Sequence, residues 1–142
     1  MKVNFKKLVP EAQKPKFGKP GDAGADLVAT SVDFSREDQI VYGTGLAVEI
    51  PEGMVGLVFP RSSVRNYDLI MSNSVGVIDS GYRGEIMVTF NVKNPSEPQE
   101  IYTEGDRIAQ LVIVPVPLIQ YTEVEELSET SRGTGGHGST GN

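Results

Sequence analysis

Short runs of Val, Ile, Leu, Phe and Thr recur along most of the chain, each cut off by glycine, proline or another turn residue. The clearest are residues 45–50 (GLAVEI), 54–59 (MVGLVF), 86–92 (IMVTFNV) and 108–116 (IAQLVIVPV), and the first and third alternate with period two. No window of about a dozen residues keeps apolar positions at helical spacing for more than one turn. At most one short helix is predicted, at residues 62–66 or 124–129. Many short strands at close spacing must close on one another to bury their apolar faces, so the chain is expected to be all-β: a sandwich or jelly-roll-like barrel.

The 142 residues suffice for one domain and one core. Residues 1–122 read as the β body, and residues 10–24 within it as an exposed irregular approach. Residues 123–142 read as an acidic linker and a flexible glycine-rich arm: Glu123, Glu125, Glu126 and Glu129 precede RGTGGHGSTGN, which buries almost nothing by itself. With 13 basic against 19 acidic residues the formal charge is -6, which disfavours polymeric nucleic acid as a partner. Zero cysteines and one histidine exclude thiolate and multi-histidine metal sites. The basic N-terminus is followed by no apolar run of signal-peptide length, and the most apolar stretch, LVIVPVPLI, is too short and too proline-rich to span a membrane. A soluble, cytoplasmic protein is expected.

Five constellations have chemical potential. In the tail, successive glycines with Arg132, Ser139 and Thr140 can clasp a phosphate; a low-complexity tail explains the same composition. Arg61, Ser62, Ser63 and Arg65 follow a hydrophobic strand and can hold phosphate oxygens, or form a polar turn. In GVIDSGYRGEI, Asp79 and Tyr82 flank a Ser80-Gly81 turn and can face one ligand, or the segment is a hairpin turn with an aromatic packed beside it. Gln110, within an apolar strand, needs a hydrogen-bond partner if buried: a ligand or a neighbouring backbone group. Asp26, in AGADL, can orient an arginine or a metal-bound water, or close a turn.

The five stand in the order AGADL, PRSSVRN, GVIDSGYRGEI, GDRIAQLV, RGTGGHGSTG, and that set resembles the homotrimeric dUTP diphosphatases (dUTPases), from about residue 21 to residue 141. The resemblance implies Mg2+-dependent hydrolysis of dUTP to dUMP and pyrophosphate, limiting uracil in DNA and supplying dUMP for thymidylate. It implies a homotrimer of jelly-roll-like subunits whose active sites draw on all three chains. Asp79 is then the catalytic residue that orders or deprotonates the attacking water, and Tyr82 packs on the deoxyribose and excludes a 2′-hydroxyl. Asn73, with main-chain groups of the hairpin such as those at Val77, reads the uracil edge. Arg61, Ser62, Ser63 and Gln110 hold phosphate oxygens, and Arg132, His137, Gly138, Ser139 and Thr140 close over the substrate. Asp26 supports the metal indirectly, through water, the magnesium being held mainly by the substrate's phosphates.

The chain departs from the family's pattern at His137, where a GGFGS-type tail stacks phenylalanine over uracil. Imidazole offers less area and titrates near neutral pH, which predicts a less firmly closing lid; equal stacking by histidine is the competing expectation. The dCTP deaminase branch is similar through PRSSVR, but it uses a glutamate where this chain has Thr89, and it lacks the glycine-rich tail. A non-catalytic nucleotide sensor is the rival from another class, and the intact Asp79 position speaks against it.

Overall fold

A computed structural model describes residues 1–97 and 99–136. Its strands are β1 (Asn4–Lys7), β2 (Lys16–Phe17), β3 (Ala25–Val28), β4 (Ser31–Arg36), β5 (Gln39–Gly43), β6 (Leu46–Glu49), β7 (Met54–Pro60), β8 (Leu69–Met71), β9 (Gly76–Ile78), β10 (Met87–Val92) and β11 (Arg107–Pro115). A single 3-10 turn, Ser62–Asn66, is the helical element among the described residues. Every pairing is antiparallel, in three sheets of order β1-β6, β4-β5-β10-β8 and β2-β3-β11-β7-β9. The fold is all-β, as the punctuated apolar runs predict. Of the two helix candidates, 62–66 forms the 3-10 turn and 124–129 forms no helix. Three glutamates and no apolar face of more than two residues leave 124–129 nothing to bury. Residues 10–24 depart from an entirely exposed approach: Ala12 is buried and Lys16–Phe17 pairs with β3.

Both large sheets contribute to one core, whose largest fully buried side chains include Leu27, Tyr42, Leu46, Phe90, Tyr102 and Ile108. Tyr42 meets Phe90 and Tyr102 edge-on, with ring centroids 5.8 and 6.1 Å apart. The Tyr42 hydroxyl donates to the Tyr102 carbonyl at 3.0 Å, which gives a buried phenol its partner. Truncating a ring such as Phe90 to alanine would cost about 3–5 kcal/mol. This packing makes the two sheets a rigid frame for the loops at their ends.

Candidate active site

Alternation along β3 buries Ala25 and Leu27 and turns Asp26 to the outer face of the five-stranded sheet. Register sets Gln110 of β11 beside Asp26 on one side and Phe59 of β7 on the other, and Arg61 follows directly where β7 ends. Arg61 Nε donates to Asp26 Oδ1 at 2.7 Å, and its Nη1 to Ser63 Oγ at 3.1 Å. Arg107 Nη1 donates to the other carboxylate oxygen, Oδ2, at 3.1 Å. Asp26 therefore orders two guanidiniums, one on each carboxylate oxygen.

These residues line a cavity of about 440 Å³ with Gly24, Ser62 and Gln110. The Gln110 amide has a backbone partner, the Pro60 carbonyl at 3.4 Å, a long bond that leaves its Oε1 facing the cavity side of Gly24. A Cβ at position 24 would lie 2.5 Å from that oxygen, so only glycine gives the amide room there. Two guanidiniums, an amide and a hydroxyl around one concavity suit the several oxygens of a polyphosphate.

Arg107 is a site residue that the sequence pattern does not single out. Strict alternation sets positions 107 and 110 on opposite faces of β11, but the ladder to β3 is irregular between Arg107 and Ala109. Ile108 and Ala109 are both fully buried in consequence, and Arg107 and Gln110 reach the same cavity.

The second group of candidates occupies the segment that leaves the four-stranded sheet at β8 and enters the five-stranded sheet at β9. Its turn is tight, with Ser74 at φ 59° and Ser74 N–H donating to the Met71 carbonyl at 3.1 Å. Asn73 and Val77 line a cavity of about 410 Å³ with Met71, Met87 and Thr89. Asp79, just beyond β9, is exposed and borders a further concavity with Val77 and Leu118. The Tyr82 N–H donates to the Asp79 carbonyl at 3.1 Å and the Tyr82 hydroxyl to the Glu85 carbonyl at 2.9 Å, closing the Ser80-Gly81 turn between them. Arg83 Nη1 donates to the carbonyls of Ser80 and Tyr82 at 2.6 and 2.9 Å, so the loop is pinned by its own residues.

A single chain does not bring the two groups together. Gly56 pairs with Ile78, so Asp79 lies level with Val55 at one end of β7, while Arg61 follows the other end. The intervening six residues of strand measure about 20 Å. Arg132 is exposed, and its Nε donates to the Gly135 carbonyl at 3.0 Å. His137, Gly138, Ser139 and Thr140 lie outside the described residues. No cluster of three or more His, Asp or Glu side chains suited to a metal occurs among the described residues, and no helix there is long and apolar enough to cross a membrane.

The class is thus an antiparallel β protein with a two-arginine cavity at one strand end and an exposed carboxylate on a pinned loop, an arrangement suited to a phosphate-bearing ligand. That loop crosses between the two large sheets, where a hairpin turn is one reading of the sequence. The family model for dUTPase matches residues 10–141, and the chain belongs to that family. It is 45% identical over 141 residues to a deoxyuridine 5'-triphosphate nucleotidohydrolase of Nocardia farcinica, spanning 98% of this chain and 85% of that one. It superposes on the Staphylococcus bacteriophage 80alpha dUTPase with dUPNHPP at a TM-score of 0.85, with 29% identity and 99% of each chain covered. A mutant dUTPase from phage phi11 of S. aureus, described with a structural Mg(II) ion, matches at a TM-score of 0.77 and 26% identity, covering 91% of this chain and all of that one.

Proposed function

We propose that the chain hydrolyses dUTP to dUMP and pyrophosphate in a site assembled from several copies of itself. Water attacks the α-phosphorus, the bond to the bridging oxygen breaks, and pyrophosphate leaves with the electron pair. Asp79 orients that water and accepts its proton, and its exposure in the loop after β9 gives both water and substrate access. Tyr82 faces the deoxyribose, and Asn73 with the Val77 main chain reads uracil. Arg61, Ser62, Ser63 and Gln110 hold phosphate oxygens, with Asp26 and Arg107 fixing the direction of Arg61. Arg132, His137, Gly138, Ser139 and Thr140 cover the far phosphates and the base. Positioning and charge neutralisation supply most of the acceleration in such a transfer.

The donor set fits Mg2+ carried by the triphosphate. Both Asp26 oxygens already accept from guanidiniums, and no acidic cage exists among the described residues. Magnesium carried by the triphosphate would supply charge neutralisation at the phosphates. Asp26 holds the arginines directly, and any hold on the metal would be indirect, through water accepted on its remaining lone pairs.

The separation along β7 carries the multi-chain reading. The carboxylate that serves the attacking water and the arginine that holds the phosphates must reach one α-phosphate, and about 20 Å of strand divides them within a subunit. A neighbouring copy supplies the missing half, in a closed homotrimer. Complementation tests this. Asp79→Asn and Arg61→Ala chains are each expected to be inactive, and co-refolding equal amounts should restore about a quarter of wild-type sites, those with an intact Asp79 from one chain and an intact Arg61 from another. Mixtures as inactive as either parent, at trimeric mass by light scattering, would refute shared sites.

A further inference from the structure

We propose that Gly84 sets the position of Tyr82 and thereby the discrimination of deoxyribose from ribose, an inference that rests on Tyr82 being the sugar-facing residue. The Tyr82 ring folds back over the backbone of residue 84. A Cβ there would lie 2.6 Å from Tyr82 Cζ and 3.0 Å from Cε2, with the hydroxyl oxygen closer still. Contacts that short are not sustained, so any residue other than glycine must move something. Gly84 is absent from the glycines with positive φ, so space is what it provides and an alanine backbone is acceptable.

What moves is decided by the surrounding bonds. The backbone of residues 79–85 is held by the Tyr82 N–H to Asp79 bond and by Arg83 on two carbonyls. The ring is held by one hydrogen bond, from its hydroxyl to the Glu85 carbonyl at 2.9 Å, and the residue is 41% exposed. Relief by swinging the ring outward is therefore the easy path. It breaks that tether and opens the space a 2′-hydroxyl would need. Gly84 is a positioning residue: it touches Tyr82, and Tyr82 touches the sugar.

The test is the ratio of kcat/KM for dUTP to kcat/KM for UTP in the full-length protein and in Gly84→Ala, Tyr82→Phe and Tyr82→Ala. Gly84→Ala is expected to lower the ratio by about tenfold or more, the scale set by displacing a contact by about an ångström. Tyr82→Phe, which removes the tether without adding bulk, is expected to lower it by less. A purely structural role would reduce turnover of both nucleotides in parallel. If Gly84→Ala leaves the ratio unchanged while Tyr82→Ala collapses it, the positioning role is overturned and the sugar-facing role of Tyr82 stands. If Tyr82→Ala itself leaves the ratio unchanged, the sugar-facing role falls and the inference with it. Should Gly84→Ala not fold, an unchanged ratio in Tyr82→Phe overturns the inference.

Discussion

Replacing Asp26 with asparagine keeps the shape of the side chain and removes the charge that two guanidiniums share. The Arg61 contact is short, at 2.7 Å, and both partners are largely covered, with side-chain exposures of 22% and 15%. A fully buried pair that loses one member costs about 3–5 kcal/mol, and partial exposure lowers this to about 2 kcal/mol. Arg107 is 56% exposed, so its share is about 0–1 kcal/mol. Together they predict a loss of about 2–3 kcal/mol, or a Tm lower by roughly 6–10 °C in a domain of this size. Arg61 freed by about an ångström should also reduce kcat/KM by roughly 10- to 100-fold. Differential scanning calorimetry and steady-state hydrolysis of dUTP read the two effects on the same preparation. A Tm and a kcat/KM both indistinguishable from wild type would refute the view of Asp26 as the anchor of the arginines. Arg107→Ala sharpens the comparison. It should weaken activity modestly and add little in the Asp26→Asn background, because the carboxylate that links them is already gone. A changed Mg2+ requirement in Asp26→Asn, with Arg107→Ala unaffected, would instead place the residue's main work at the metal's waters.

Asp79→Asn is expected to lower kcat by about 100- to 10,000-fold with Tm nearly unchanged, since the side chain is exposed; activity within tenfold of wild type would remove Asp79 from its role as base. His137→Phe should raise kcat/KM, because the larger ring offers more stacking area; identical kcat and KM between pH 6 and 8 would show that histidine closes the lid as well as phenylalanine. Burial pushes the Tyr42 phenol up to about 12 and raises that of Tyr102 as well. The unfolded chain then releases protons above about pH 10 that the fold retains, so stability, level with respect to these groups below that pH, should fall as pH rises, by about 1.4 kcal/mol per unit for Tyr42 alone. Urea midpoints measured from pH 9 to 11 check it, and a flat profile above pH 10 would contradict the burial argument.

Much of the fold is legible locally. Residues 54–59 and 86–92 are strands β7 and β10 to within a residue, because turn residues bound their apolar runs and, in 86–92, the alternation matches the pleat. Lys16–Phe17 is not legible as a strand. Two residues carry no period, and their pairing depends on β3 being present to receive them. The motif residues Asp26, Arg61 and Gln110 stand out in the sequence by type, but 35 and 81 residues separate Asp26 from its two arginine partners. Arg107 sits inside the motif that Gln110 marks, and the expected alternation hides it. Gly84 reads as part of a turn, and its contact with the Tyr82 ring is a matter of side-chain direction that no spacing reveals.

The sequence by itself determined the all-β class, the turns that punctuate it and the order of the candidate site motifs, because strand period and turn chemistry act over a few residues. Only the tertiary structure decided which groups meet. The irregular ladder at Arg107, the ion pairs on Asp26 and the placement of Asp79 and Arg61 at opposite ends of β7 all follow from register between distant strands. Register is fixed by burying one shared core, and that condition belongs to the whole chain.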